Sequence, residues 1–562
     1  MTLDRKTAAR ILRRIATLME LHGDNPHRIR SFANASRTIE RLEGDLGEMV
    51  ASGRILEVRG IGKGTAAVLA EIAAGSTPPV LAELEARTPP GLLELFELPG
   101  LGPKRIRTLW RELGITSLGE LEYACLENRL IDLPGFGPRM QDRIIEAIAF
   151  RRRSQARRRI DEAWASAVPL LAALGAAGRR ANVAGGLRRG CETVDAVEIV
   201  VSCDDPGVVL TALAPHVTGA RADGGSVAGT TTDGLPVRVH TADPRAFGAT
   251  LLYRTGNGEH LEALERRAAD GGLELGPDGL FSGSDRIAGA DEEGVYEALE
   301  LPWIPPELRD DPGTVERASA GTLPRLVTVE DLHGALHNHT RDSDGAATLE
   351  EMADAARGLG WAFLGIADHS PAAHYANGLD AGRLRAQWAA IDRWNAEHPD
   401  LRLIRGLEAD ILPDGALDIP PGCEEGLEYV VASVHSSFRM SRDAMTARLL
   451  AAVEHPSTTI LGHPTGRLLL ARPPYEADLE AVLTACAERG VAVEINANPH
   501  RLDLDWRWTR RALELGIPLA IDPDAHATDG LEDVRWGVTV ARKAGARPED
   551  VLGAGRPPLP SR

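Results

Sequence analysis

Apolar residues recur at helical spacing through TAARILRRIATLMELHG near the start of the chain, and again through NPHRIRSFANASRTIERL after an Asn-Pro break. Three repeats follow: VRGIGKGTAAVLAEI (58–72), LPGLGPKRIRTLWREL (98–113) and LPGFGPRMQDRIIEAI (133–148). Each reads as an apolar residue, a Gly-x-Gly hairpin, a short polar stretch and an amphipathic helix. Past residue 160 the pattern becomes that of strands, in DAVEIVVSC, LPVRVHTA and GLELGPDGLF. A Pro/Gly-broken connector then runs to about residue 330. From 331 to 562 one unit recurs: an apolar strand, a polar residue at its C-terminal end, then a helical stretch such as TLEEMADAARGLGW. Parallel strands with crossover helices close into a barrel whose chemistry gathers at the strands' C-terminal face. The expectation is a multidomain chain, with a helical region at 1–85 holding the first hairpin and two further hairpins at 86–158. An α+β domain at 159–312, a linker at 313–330 and an α/β barrel at 331–562 complete it.

Composition changes this picture little. The 562 residues suit about three or four domains, and 43% hydrophobic with 26% charged is ordinary for a globular protein. No apolar run approaches the ~20 residues that span a bilayer, and MTLDRKTAARILRRI lacks the apolar core and cleavage site of a secretory signal. A cytoplasmic protein without membrane contact is expected. Cys125, Cys191, Cys203, Cys423 and Cys486 are scattered without a CxxC pair, which disfavours a disulfide framework or a thiolate zinc site. A net charge of −19 disfavours a general nucleic-acid coat. Against that average, RRRSQARRR (151–159) holds six arginines, either as a solvated helix face or as a phosphate-tracking stretch. Lysines number four: Lys6, Lys63, Lys104 and Lys543.

The hairpins and the barrel carry the candidate chemistry. Gly60 and Gly62, Gly100 and Gly102, and Gly135 and Gly137 permit tight turning. Backbone N–H groups at the helix starts that follow can grip a phosphate, with Lys63, Lys104 and Arg139 beside them. In the barrel, HGALHNHTRDSDGAA supplies His337, His339 and Asp344, and FLGIADHS ends in Asp368 and His369. Further strands end at Glu408, His435 and His463, and IPLAIDPDAHAT closes with Asp524 and His526. Six histidines and three acids on one face exceed the needs of a single ion, so two or three divalent ions are expected. Imidazole with carboxylate suits Mn²⁺, Zn²⁺ or Fe²⁺. Asp368 is expected to orient a neighbour, Glu494 and Asn496 are as readily structural as functional, and Arg467 and Arg501 are candidate phosphate clamps.

The three repeats resemble helix-hairpin-helix DNA-backbone motifs. The first 310 residues resemble an X-family DNA polymerase, on the hairpins, on GGLRRGCETVDAVEIVV (185–201), on FGATLLYRTGNGEHLEALERRAADGGLELGPDGLF (247–281) and on LPWIPPELRDD (301–311). This resemblance implies a nucleotidyltransferase-like palm and two divalent metals held by three carboxylates, two of them at i and i+2 of one strand. Those two positions read Ala196 and Glu198, with Asp195 expected on the opposite face. The third falls on Pro236, and Gly186 stands where a phosphate-touching serine is expected. Polymerase chemistry is therefore expected to be lost. The lysine implied for a lyase reads Val68, so Schiff-base chemistry is not expected either.

The C-terminal region resembles the PHP (polymerase and histidinol phosphatase) domain, a distorted (β/α)7-type barrel, over its whole length. All nine ligand positions of that family are matched, at His337, His339, Asp344, His369, Glu408, His435, His463, Asp524 and His526. The two halves together resemble bacterial X-family polymerases with a C-terminal PHP domain. That implies a Mn²⁺-dependent 3′–5′ exonuclease of DNA repair, in a family that sometimes also cuts abasic sites, acting at gaps, nicks or 3′ ends. Three rivals stand beside it: a small-molecule phosphatase, a non-catalytic DNA-end scaffold and a working polymerase using Glu198. The hairpins argue against the first, the intact ligand set against the second and the altered acids against the third.

Overall fold

The structure, a computed structural model, describes residues 5–559 apart from 41, 43–45, 97, 99, 132 and 153–156. It divides into two compact units, residues 1–150 and 151–562. The first is helical. Helices Arg5–His22, Pro26–Glu40, Lys63–Ala73, Pro103–Leu113 and Pro138–Arg152 bury an apolar stripe that includes Leu12, Ile15, Met19, Ile39, Leu69, Ile106 and Ile144. Val68, at the lyase position, is buried in that same core. In each hairpin the first glycine is left-handed: φ is +98° at Gly60, +83° at Gly100 and +86° at Gly135. A side chain there is strained, which is why glycine stands there. Gly62 and Gly102 are extended and cap the next helix.

In the second unit, residues 181–242 form a five-stranded sheet in the order Ala181–Val183, Val197–Ser202, Pro236–Ala242, Ser226–Thr231, Val217–Asp223. Helices Phe247–Thr255 and Gly258–Asp270 and the small sheet spanning Glu274–Gly276, Gly279–Ser282 and Asp285–Ala288 follow. Arg309 is wholly buried there, donating to Glu292 (2.9 Å), which also accepts two 2.7 Å bonds from Arg188. The connector expected at 313–330 is ordered and packed. It carries helix Thr314–Ser319, buries Val315 and Ala318 in the domain before it, and donates from Val327 N to Ala546 O at 3.0 Å in the barrel. Apolar residues were available inside the Pro/Gly-broken sequence to make both contacts.

The barrel is a ring of parallel staves. Extended residues 335–338 pair with Phe363–Ile366, which pairs with Arg402–Arg405, whose continuation Glu408–Asp410 opens a parallel sheet of five. That sheet continues through Val431–Ser433, Ile460–Leu461, Ala492–Asn496 and Leu519–Asp522. The bridge between Asn338 and Ala525 closes the ring. Helices Leu349–Gly358, Ala381–Glu397, Arg442–Glu454, Leu479–Arg489 and Trp506–Glu514 return the chain, each starting on a side-chain cap: Thr348, Asp380, Ser441, Asp478 and Asp505. The stave buried on both faces reads as continuous apolar sequence, as in FLGI and LAID.

One apolar core runs without a break from Ile160 and Val197 of the strand domain to Leu364, Val493 and Val551 of the barrel. Ion pairs reinforce the seam: Arg467–Glu192 at 2.9 Å, Arg542–Glu307 at 2.7 Å, Arg510–Asp311 at 2.8 Å, and Lys543 with Asp310.

Candidate metal centre

Six of the seven staves carry, near their C-terminal ends, side chains that converge on one buried cluster, and the seventh, Ala492–Asn496, supplies Glu494 and Asn496, which hydrogen-bond two of its members. Three overlapping groups have ligand-type atoms within 4.8 Å of one another: His339, Asp344, His369 and His526; His337, His339 and Asp524; His369, Glu408 and His435. His463 joins them, its Nε2 lying 3.1 Å from Glu408 Oε1. Glu408 is the hub, since His435 Nε2 is 3.1 Å and His369 Nδ1 2.9 Å from its oxygens. Asp524 Oδ1 lies 3.1 Å from His339 Nε2, and Asp344 faces His369 at 3.5 Å and His526 at 3.4 Å. All nine residues singled out in the sequence are thus brought together. His463 (φ +24°) and Asp524 (φ +52°) hold left-handed backbone that non-glycine residues rarely adopt.

The donor set fits divalent ions. His339 Nδ1, Asp344 Oδ2 and His463 Nδ1 are buried without a hydrogen bond. Buried polar atoms left so are costly unless something else satisfies them. Electrostatics agree. Burial opposes charge on His337, yet Glu408, Glu494 and Asp524 outweigh it and hold the imidazole well above its usual range. Glu408, equally buried, is held well below the carboxylate range by His435, His337 and His369. The acids of the cluster draw positive charge, whether as protons on imidazole or as metal.

A second ring of side chains fixes the first. His337 Nδ1 is 2.6 Å from Glu494 Oε1, and Asn496 Nδ2 donates to Asp524 Oδ2 at 3.1 Å, so both residues serve the site. Asp368 accepts from Thr340 N (2.8 Å), Thr340 Oγ1 (2.6 Å), Ser343 and Gln387, pinning the loop between His339 and Asp344. Asp410, overlooked in the sequence, hydrogen-bonds His435 Nδ1. Its signal was its place two residues beyond Glu408 on the same strand face. Arg501 Nε lies 3.5 Å from Asp524 Oδ2, at the edge of the cluster.

Arg467 departs from expectation. Its guanidinium donates to Arg501 O (3.0 Å), to Leu502 O and to the Glu192 carboxylate (2.9 Å). It is a clamp on the protein's own loop, with its donors spent before a phosphate arrives. The arginine run differs too. Arg158 and Arg159 are buried, Arg159 pairing with Asp161 at 3.2 Å, and Arg157 bonds Thr193; residues 153–156 lie outside the described residues.

At the polymerase-like strand the register corrects two expectations. Strand Val197–Ser202 runs parallel to Pro236–Ala242 with Glu198 opposite Arg238. The neighbour that faces Glu198 is thus an arginine, and Pro236 stands two residues away at the strand's first position. Because the strand begins only at Val197, period-two alternation does not reach Asp195. That residue lines the same cavity as Ala196, Glu198 and Gly186 rather than the opposite face. Gly186 could not carry a side chain freely, as a Cβ would meet Cys191 Sγ and Val194 Cγ1 at 3.3 Å.

Comparison with known proteins accords with this geometry. Residues 4–77 match the helix-hairpin-helix domain family and 92–149 the SAM-like helix-hairpin-helix tandem. Residues 250–310 match the DNA polymerase beta thumb and 335–498 the PHP domain, so Asp524 and His526 enter the cluster from beyond the matched segment. The chain is 34% identical to the DNA polymerase/3′-5′ exonuclease PolX of Bacillus subtilis (strain 168), across 98% of this chain and 97% of that protein. It is also 29% identical, over 38% of its own length, to 88% of a probable phosphatase of Thermoanaerobacter sp. (strain X514). A probable phosphatase of Clostridium acetobutylicum is 33% identical over 29% of this chain and 63% of that protein.

Proposed function

We infer that this chain, which belongs to the family of bacterial X-family DNA polymerases with a C-terminal PHP domain, is a metal-dependent 3′–5′ exodeoxyribonuclease whose polymerase centre has lost its chemistry. The observation that carries this reading is a contrast within one unit. Nine imidazole and carboxylate side chains converge on the barrel's C-terminal face, while the polymerase-like strand sets Arg238 beside Glu198. His337, His339, Asp344, His369, Glu408, His435, His463, Asp524 and His526 would hold two or three divalent ions; the mixed imidazole and carboxylate set accepts Mn²⁺, Zn²⁺ or Fe²⁺, and Mn²⁺ is the ion that the resemblance implies. Such ions, when bound, neutralise the attacked phosphodiester and acidify water near neutral pH.

The chain's own residues do the rest. Glu494 and Asp410 fix the rings of His337 and His435, and Asn496 aims Asp524. Asp368 holds the loop that carries His339 and Asp344. Arg501, whose Nε lies 3.5 Å from Asp524 Oδ2 at the edge of the cluster, is the cation proposed to meet the scissile phosphate. Gly60, Gly62, Lys63, Gly100, Gly102, Lys104, Gly135, Gly137 and Arg139 form the DNA-backbone grip. Lys63, Lys104 and Arg139 are exposed at the helix starts that follow the left-handed glycines. Gapped, nicked or 3′-ended DNA is the proposed substrate, with cleavage at abasic sites a second activity of the same centre.

The test is product polarity with Mn²⁺ restored to chelator-stripped protein. A 5′-labelled strand shortened one nucleotide at a time supports the reading; immediate loss of the label as the 5′-terminal mononucleotide, with no ladder, refutes the stated polarity. The phosphatase relatives motivate a second reading, a monoesterase. It predicts faster hydrolysis of p-nitrophenyl phosphate than of bis(p-nitrophenyl) phosphate, the reverse of what a nuclease gives.

A further inference from the structure

Two arginines and a histidine meet at the strand that lacks the expected acid. Arg238 and His240, two residues apart on strand Pro236–Ala242, share a face, and Arg254 stands on helix Phe247–Thr255, which packs against the neighbouring strand Val197–Ser202. The three side chains line a hollow of about 190 Å³ together with Ser226, Thr241 and Thr250. Arg254 also borders an adjoining hollow of about 350 Å³ that contains Asp195, Glu198 and Arg157. His240 is only 5% exposed, and its Nε2 is buried with no hydrogen-bond partner. Arg238 and Arg254 are exposed and, among the described residues, neither makes an ion pair or hydrogen bond. Burial first, and then the Arg254 and Arg238 charges, bring the His240 imidazole down to about 4. Two guanidinium groups without a hydrogen bond thus face the smaller hollow against one acid on its rim, Asp223, while Glu198 stands opposite Arg238 in the neighbouring strand.

We propose that this face is a metal-independent binding site for a single phosphate monoester, held by Arg238, Arg254 and His240. Two guanidinium groups match the fork geometry of phosphate oxygens, and His240 Nε2 supplies a buried polar atom already in need of a partner. The larger hollow, which carries Arg157 and Arg189 beside Asp195 and Glu198, takes the nucleoside attached to that phosphate, and the smaller one, at about 190 Å³ with Asp223 in its lining, suits one phosphate group rather than three. A monophosphate is thus favoured over a triphosphate. The same group can come from a free nucleoside monophosphate or from the 5′-phosphate of a DNA strand. This inference concerns a site apart from the barrel's metal cluster and goes beyond the nuclease reading.

The experiment is equilibrium binding by the full chain in excess EDTA, where no metal-dependent cleavage runs, with dAMP, dATP and a short oligonucleotide in 5′-phosphorylated and 5′-hydroxyl forms. We expect dAMP to bind more tightly than dATP, or the 5′-phosphorylated strand more tightly than its hydroxyl twin. The first outcome names the free nucleotide as source and the second the DNA end. In either case an Arg238→Gln/Arg254→Gln double variant, with its melting midpoint retained, weakens that binding at least tenfold. Arg254→Gln alone provides the same readout should the double variant fold poorly. Phosphate binding that appears only with added divalent ion, that persists undiminished in the variants, or that is absent from every probe overturns the proposal. A negative result in EDTA leaves the nuclease reading standing, because the two are read under different conditions.

Discussion

Asp410 shows how much one carboxylate outside the ligand set can matter. It bonds His435 Nδ1 and so fixes which nitrogen faces Glu408. Outer partners of this kind typically govern 10–100-fold in metal affinity or activity. Asp410→Asn is therefore expected to raise the Mn²⁺ concentration for half-maximal nuclease activity by about tenfold or more, in a Mn²⁺ titration that leaves the melting midpoint of the metal-free protein near its starting value. An unchanged titration would remove Asp410 from the site. At the same scale, the buried acids of the cluster predict linkage between metal and stability. Saturating a site at 100 times its Kd stabilises the fold by about 2.7 kcal/mol, so EDTA is expected to lower the thermal midpoint and Mn²⁺ to restore it. Most of the ligands were legible because they are polar residues at or just past the end of an apolar run, as at His369, His435 and His463. Asp410 was not, since an acid on a short strand looks like any solvated side chain until its partner is placed.

Elements repeat that division. The hairpins were legible because a left-handed turn demands glycine, and Gly60, Gly100 and Gly135 all take it. Their proposed role has a direct readout. Deleting one cation that neutralises a DNA phosphate lowers the slope of log K against log salt by about 0.9. Replacing Lys63, Lys104 and Arg139 together by alanine is expected to flatten the slope for DNA binding by about 2–3; an unaltered slope would assign the grip elsewhere. Strand register was not legible. Period-two counting places Asp195 on the wrong side, because it assumes a strand that begins before Val197, and Pro236, the position that the resemblance implied, lies two residues from Arg238, which the pairing sets opposite Glu198. Where a strand starts is set by the glycine-rich turn before it and by the pairing of its neighbours, information that lies outside the local pattern.

At the scale of the whole molecule, the surprise is how tightly the strand domain and the barrel are joined. In place of the linker expected at 313–330, a continuous apolar core and the Arg467–Glu192 pair join the two. Residues 151–562 are accordingly expected to unfold in one cooperative transition, and two separated transitions for that unit in denaturant would contradict the shared core. Arg467 also holds the carbonyls of Arg501 and Leu502. Glu192→Gln, which removes its counter-charge, is expected to cost about 2 kcal/mol of stability and to lower nuclease kcat/KM through the Arg501 loop. Seams of this kind leave little trace in sequence, because the charges that meet across them lie 275 residues apart. The proposed function places the chemistry of this chain wholly in the barrel. The most direct measurement incubates a 5′-labelled primer-template with Mn²⁺-restored protein, with and without dNTPs, for the wild type, His339→Ala and Glu198→Ala. The expected result is a ladder of shortened primers that His339→Ala abolishes and Glu198→Ala leaves intact, with no product longer than the primer. Primer extension by the wild type that Glu198→Ala removes would contradict it.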